Sequence, residues 1–256
     1  MIPNIKELRK ITQQNAQANL LRLSRFLSIY ITWVLLHTRI TANQASVLDL
    51  MLGILGCCFI FMGGNTNALI GGFGLILFYI FDDVDGEIAR YRKSTTLSSF
   101  YLEGLCHPIM HPLKFIALGY GLHIQFDSNL LFYLGAYTAI LCTLEQASTW
   151  RRELIIKSKY NYSRAYSGII EKWPKKLSII LHIATYVMQE MGMYVVIFVA
   201  ALLDFILQDQ LEIHFSGLNF KVIVLIFYCF SMTLMTAYNI YGSNRMIVEY
   251  SKKTKM

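Results

Sequence analysis

Long apolar runs separated by short polar segments dominate the chain and predict membrane-crossing helices. A hydrocarbon core of about 30 Å requires about 20 apolar residues in helical form, because each residue rises ~1.5 Å. Five runs reach that length, and a sixth is apolar until it reaches Asp82. We therefore predict an all-α, polytopic membrane helical bundle with six transmembrane helices, at roughly residues 43–63, 67–88, 97–121, 129–148, 185–207 and 219–241.

The N-terminal residues follow a different pattern. A polar, basic and helix-compatible segment leads into the apolar stretch 25–38, which is shorter than a spanning helix needs. We predict that residues 5–38 form a helix lying along the interface, where an amphipathic helix buries only its apolar face. The predicted organisation is an N-terminal amphipathic, interfacial segment, a six-helix transmembrane domain and a basic cytoplasmic tail, at residues 1–42, 43–241 and 242–256.

The positions of the basic residues predict the orientation. Six spans place 21 of the 23 Lys and Arg residues on one side of the membrane. Cytoplasmic loops carry the excess of Lys and Arg, so both termini are predicted to face the cytoplasm. A seventh span at 25–38 would invert every later loop or place the N-terminal basic residues outside, against this rule. We therefore predict a multi-pass integral membrane protein with six spans.

Composition agrees with a membrane protein and argues against a soluble globular enzyme. Hydrophobic residues make up 55% of the chain and charged residues 15%, and the mean hydropathy is +0.45. The net charge of +7 is explained by the loop asymmetry and attraction to anionic lipid headgroups. Because no basic patch interleaved with aromatic residues lies outside the membrane-flanking loops, a nucleic-acid partner is not predicted. The five cysteines lack the paired spacing of metal ligands.

Acidic side chains are concentrated where the second predicted span meets the cytoplasm, in FDDVDGEIARYRKSTTLSSFYLEGLCHP, residues 81–108. An ionisable residue in a membrane helix is costly, so it faces the bundle interior or a water-filled cavity and marks a functional site. Asp82 and Asp85 are three residues apart and share a helical face. On the next helix one face carries side chains at every fourth residue: Ser99, Glu103 and His107.

A short inner turn joins these two helices, which predicts that their acidic side chains come together with a histidine. The predicted metal ligands are Asp82, Asp85, Glu103 and His107. Carboxylates gathered in a low dielectric repel one another unless a cation neutralises them. A divalent cation that prefers oxygen, Mg²⁺ or Mn²⁺, is the predicted cofactor.

Two further residues in the stretch suit a phosphate-bearing ligand. Gly86 permits a ligand or another backbone to approach closely, and Arg90 can donate to phosphate. The structural alternative for membrane carboxylates is pairing with buried bases. We favour that explanation for Lys114 and Asp204, which lie at similar depth in their spans.

The same stretch resembles the signature of the CDP-alcohol phosphotransferase family, which reads D-x2-D-G-x2-A-R-x8-G-x3-D-x3-D. Aligned without gaps, the first half matches at every position and the second half departs at all three. The segment ITANQ before the first span is similar to the family's ITPN, with Ala42 in place of proline and Asn43 retained. The signature positions are Asp82, Asp85, Gly86, Ala89, Arg90, Ser99, Glu103 and His107.

The resemblance implies an enzyme that moves a substituted phosphoryl group from a CDP-linked alcohol or lipid donor to a hydroxyl acceptor, releasing CMP. The implied pathway is phospholipid, glycolipid or polyol-phosphate synthesis, with membrane lipids as partners and a homodimer as the assembly. The implied catalytic residues are Asp85, Glu103 and His107, and Asp82, Asp85 and Glu103 would hold a metal pair. The implied nucleotide contacts are Asn43, Gly86, Ala89, Arg90 and Ser99.

The departures alter the implied chemistry of the second half. Glu103 keeps a carboxylate with one more methylene, and Ser99 replaces a glycine, where its side chain would crowd or hydrogen-bond the nucleotide. His107 stands where the family has its proposed general base, and an imidazole accepts protons near neutral pH. Since Mg²⁺ prefers oxygen, a weak or absent second metal site is left open. The simpler interpretation is that His107 pairs with Glu103 or caps a kink at Pro108.

Three other functions fit parts of the pattern. A catalytically degenerate homologue would bind nucleotide or lipid as a membrane scaffold, as the three departures suggest. An intramembrane prenyltransferase also uses metal and diphosphate, but it needs two separated aspartate-rich motifs and more spans than this sequence has. An ion or proton pathway is the most distant alternative.

Overall fold

The computed structural model describes residues 3–13, 23–94, 96–160, 187, 190–211 and 219–253. In these ranges the chain is helical and contains no strand, so the all-α prediction is confirmed. The helices are α1 Ile5–Thr12, α2 Leu23–Leu36, α3 Ala42–Phe61, α4 Asn65–Arg92, α5 Leu97–Phe126, α6 Asn129–Tyr160, α7 Glu190–Asp204 and α8 Phe220–Lys253. Helix α7 continues into a π-helical segment, Phe205–Gln210.

Within the described residues, five helical segments are long and apolar enough to cross a membrane: Ala42–Phe61, Asn65–Arg92, Asn129–Arg152, Gly192–Gln210 and Phe220–Val248. Helix α5 has 30 residues, but polar side chains such as His107, His111 and Lys114 interrupt its apolar character. Five of the six predicted spans therefore have the required length and composition, and the crossing by α5 stays a prediction. Helices α6 and α8 also extend beyond their predicted spans, to Tyr160 and Lys253.

The prediction of one continuous helix over residues 5–38 is wrong. The N-terminal region begins with a short, separate helix, α1. Helix α1 ends after 8 residues, and Gln13 caps it with non-helical backbone angles. The Gln13 side chain makes tertiary contacts at this end, donating to Glu87 and to the carbonyl of Arg25. Helix α2 has 14 residues, which agrees with a segment too short to span.

The spanning helices approach most closely at glycines. A Cβ on Gly56 of α3 would lie 2.7 Å from the carbonyl oxygen of Gly71 in α4. A Cβ on Gly119 of α5 would lie 2.8 Å from the Cα of Gly135 in α6. Small residues let helix backbones meet in a membrane, where apolar surface alone does not drive association. These contacts set the spacing of α3 against α4 and of α5 against α6.

A buried ion pair closes the bundle end opposite the candidate site, and it corrects the predicted partner of Asp204. Asp204 pairs with Lys221, whose Nζ lies 3.9 Å from Oδ2, and not with Lys114. Its carboxylate also accepts from the backbone N–H groups of Phe220 and Lys221 at 2.8 and 3.0 Å. The ammonium of Lys114 lies 4.5 Å from the ring centroid of Tyr194, in cation–π contact. A similar depth in the membrane did not predict the partner of Asp204. Two side chains at the same depth can face different neighbouring helices, because their directions depend on the rotation of each helix about its axis.

Removing the charge of Asp204 is expected to destabilise the bundle. Asp204→Asn leaves the ammonium of Lys221 buried without its counter-ion, which costs about 3 kcal/mol when one partner of a buried pair is lost. Thermal unfolding in detergent, followed by circular dichroism, measures the effect. Asp127→Asn is the matched control, because it removes one negative charge from an exposed loop residue. Equal melting temperatures for the two variants would contradict a stabilising role for the pair.

Candidate active site

The C-terminal end of α4 presents acidic side chains on two faces. Asp82 and Asp85 contact α5 and α3, respectively, whereas Asp83 and Glu87 contact the N-terminal helices. The helical repeat of 3.6 residues produces this division, because residues three or four apart share a face and adjacent residues do not. Only the first of these faces coincides with the predicted site.

Asp82 and His107 are brought together across α4 and α5. His107 Nε2 lies 3.2 Å from Asp82 Oδ1, and the two side chains are 20% and 15% exposed. The imidazole also contacts the ring of Phe78 edge-on, with 6.3 Å between centroids. The pair is therefore half-buried, with one polar and one apolar wall around the imidazole. This contact agrees with the predicted approach of the acidic residues of α4 to His107, and it identifies Asp82 as the carboxylate that meets the imidazole.

Asp85 lies deeper and receives a hydrogen bond that the sequence analysis missed. Its carboxylate is buried at 5% exposure and accepts from the hydroxyl of Ser46 on α3. A signal for Ser46 was present, since Asn43, Ser46 and Asp49 recur every third residue of an otherwise apolar span. Asn43 itself lies in the first turn of α3, inside the capping box that Thr41 forms with Gln44.

Gly86 and Arg90 are in contact one turn apart. A Cβ at Gly86 would lie 3.0 Å from Nη1 of Arg90, so the guanidinium lies against the bare backbone of α4. Arg90 Nε donates to the carbonyl oxygen of Thr12 at 2.6 Å, while the residue as a whole is exposed. Among the described residues, no hydrogen-bond partner contacts its Nη atoms. Because the residue is exposed, an anion can approach its guanidinium.

Ala89 lies one turn after Asp85 on the same side of α4. It is buried in an apolar cluster with Leu8, Ala42 and Ala45, which joins α1, α3 and α4. A small side chain there allows close helix packing. A nucleotide contact of Ala89 stays a prediction.

The metal prediction depends partly on side chains outside the described part. Ser99 and Glu103 lie on α5, about two turns and one turn before His107, but their side chains are not among those described. Among the described side chains, no three His, Cys, Asp or Glu residues form a group able to hold a metal ion. Asp82, Asp85 and His107 alone therefore do not make up such a group. Carboxylate oxygens suit Mg²⁺ or Mn²⁺, and a third carboxylate at Glu103 is what this partial set requires.

The second acidic face anchors the N-terminal helices. Asp83 accepts from Ser24 and lies 3.4 Å from the guanidinium of Arg25. Glu87 accepts from Ser28 and Thr32 at 2.8 and 2.7 Å. The donors had a sequence signal that was missed, because Ser24, Ser28 and Thr32 form a stripe with a spacing of four residues along the apolar helix α2.

Comparison with known proteins relates this arrangement to a solved structure. No protein-family model and no curated protein matches the sequence. The chain is similar to the phosphatidylinositol phosphate synthase PgsA1 of Mycobacterium tuberculosis, whose crystal structure has CDP-DAG bound. The sequences are 16% identical, the TM-score is 0.59, and the alignment covers 85% of this chain and 94% of the synthase. The resemblance to the CDP-alcohol phosphotransferases is thus confirmed at the level of the fold, which this chain shares with that synthase.

Proposed function

We propose that the protein is an integral membrane CDP-alcohol phosphotransferase that transfers a substituted phosphoryl group from a CDP-linked donor to a hydroxyl acceptor and releases CMP. The observation that supports this most is a coincidence of fold and motif. The gapless half-signature from Asp82 to Arg90 ends α4 in a chain with the fold of a synthase crystallised with CDP-DAG. Phospholipid synthesis is the proposed setting.

Arg90 and Gly86 suit the phosphates of the donor. Phosphoryl transfer depends mostly on positioning and on neutralising the charge that develops on the phosphate oxygens. The Nη atoms of an arginine can form two parallel hydrogen bonds to one phosphate group. Because Gly86 has no side chain, the guanidinium of Arg90 can lie against the backbone of α4. We propose Asn43 and Ser99 as further contacts of the nucleotide.

Asp82, Asp85 and Glu103 are the proposed ligands of a divalent cation, Mg²⁺ or Mn²⁺. Such an ion, when bound, neutralises phosphate charge and aligns the donor with the acceptor. The hydroxyl of Ser46 holds the carboxylate of Asp85 in place, and the contact between Asp82 and His107 uses one oxygen of Asp82. His107 as an additional ligand is the less favoured option, since Mg²⁺ prefers oxygen.

His107 is the proposed general base for the acceptor hydroxyl. Asp82 Oδ1 can accept from Nε2–H of the imidazole, which orients the ring between α4 and α5. A carboxylate in this position also stabilises the imidazolium that forms when the proton is taken. The proposed catalytic domain is 43–241, with the site and both termini on the cytoplasmic side, as the loop charges predict.

A screen for CMP release tests the proposal. Purified protein is mixed with CDP-linked donors and hydroxyl acceptors, with Mg²⁺ or Mn²⁺, and we expect CMP from at least one pair. Removing the divalent cation with a chelator should stop the release. If a CDP-linked donor binds but no acceptor yields CMP, the scaffold hypothesis replaces the enzyme. Transfer from labelled prenyl diphosphate would instead support the prenyltransferase.

A further inference from the structure

Glu87 is a buried carboxylate that the proposed reaction does not use. It is 1% exposed and accepts three hydrogen bonds from neutral donors on two other helices or their ends. Ser28 and Thr32 donate from α2, and Gln13 Nε2 donates from the end of α1 at 2.7 Å. A buried carboxylate is costly unless it is fully hydrogen-bonded. The N-terminal helices supply those donors here.

The bond from Gln13 links this carboxylate to Arg90. Gln13 is the C-cap of α1, and the preceding residue, Thr12, offers its carbonyl oxygen to Arg90 Nε at 2.6 Å. Gln13 also donates to the carbonyl of Arg25 at 3.1 Å, so the end of α1 is held against both α2 and α4. The carbonyl of Thr12, which accepts from Arg90, is therefore adjacent in the chain to a residue that hydrogen bonds hold in place.

We propose that α1 is a positioning element for Arg90, with the Gln13–Glu87 hydrogen bond holding the Thr12 carbonyl where it orients the guanidinium. The inference rests on the proposed function, in which Arg90 binds a phosphate of the donor. An exposed arginine samples many rotamers, and a binding site that restrains it in advance loses less entropy when the anion arrives. Thr12 restrains Nε, Gly86 provides the surface beneath, and the Nη atoms remain for phosphate.

The variant Gln13→Ala, compared with a matched control, tests whether α1 positions Arg90. We expect the KM for the CDP-linked donor to rise about tenfold with kcat nearly unchanged, because the loss is in preorganised binding. Ser28→Ala is the control, since Ser28 donates to the same oxygen, Oε1, of Glu87 from the other helix. Its KM should stay within about twofold of the unmodified protein if only the α1 link acts on Arg90. An equal rise in both variants would overturn the inference.

A double-mutant cycle separates positioning from general destabilisation. Arg90→Lys retains the charge but loses the planar group and the Nε donor. If Gln13 acts through Arg90, adding Gln13→Ala to Arg90→Lys should raise the KM no further. If the KM increases of the two single variants multiply in the double variant, α1 acts independently of Arg90, which would contradict the inference.

Binding of CDP alone, measured by calorimetry, makes the comparison without turnover. We expect Gln13→Ala to weaken CDP binding about tenfold and Ser28→Ala to leave it unchanged. If the unmodified protein binds CDP with this pattern but releases no CMP, the proposed transfer fails and the positioning role stands. If CMP is released but the two variants bind CDP with equal affinity, the proposed transfer stands and the positioning role fails. Absence of CDP binding by the unmodified protein would contradict both proposals.

Discussion

Asp85→Asn is expected to reduce CMP release by about 10³-fold or more, since charge neutralisation by a bound metal is worth several kcal/mol. Asparagine keeps the size of Asp85 and retains one oxygen toward Ser46, so helix packing should be preserved. The measurement is steady-state CMP release at saturating donor, with the Mg²⁺ or Mn²⁺ concentration varied. We expect the remaining activity to require more metal than the unmodified protein requires.

Asp83→Asn is the matched control for this experiment. The two aspartates are two residues apart on α4, but Asp83 contacts Ser24 and Arg25 on α2, whereas Asp85 contacts Ser46 on α3. We expect Asp83→Asn to retain CMP release within about threefold and the same metal requirement, because an exposed or half-buried ion pair contributes little. Equal losses in both variants would mean that the acidic residues of α4 serve stability rather than metal binding.

His107→Ala is expected to lower kcat by about 10²- to 10⁴-fold, the usual contribution of a positioned general base. The pH dependence identifies the mechanism. A base must be unprotonated to act, so kcat of the unmodified protein should fall as the pH is lowered through the range where an imidazole gains a proton. The alanine variant should lose that acid limb, and CMP release measured across pH reports both effects.

His107→Asp adds a sharper test, because it restores the residue found at this position of the family signature. A carboxylate loses its proton at lower pH than an imidazole does. We therefore expect this variant to recover much of the activity and to shift the acid limb to lower pH. Full activity and an unchanged pH profile in His107→Ala would instead mean that His107 only pairs with Asp82.

The division of the acidic residues illustrates how far the sequence can be used to predict the site. Helical periodicity is local, so the shared face of Asp82 and Asp85 followed from their spacing alone. The gapless half-signature then pointed to phosphate and metal chemistry at that face. Spacing does not say which neighbour each face meets. For that reason the hydroxyl of Ser46 on Asp85, and the choice of Asp82 as the carboxylate that His107 contacts, emerged only from the packing of α3, α4 and α5.

The sequence by itself determined the all-α class, the apolar helices and the face on which Asp82 and Asp85 lie, because these depend on the composition and on the rise and turn of one helix. The tertiary structure decided the partners. Asp204 pairs with Lys221, and Gln13 at the end of α1 bonds to Glu87, 74 residues away in sequence. Such contacts depend on how closely helix backbones approach, which glycines on different helices set jointly. No local pattern contains that information, so the anchoring of Arg90 by the N-terminal helix was visible only in the fold.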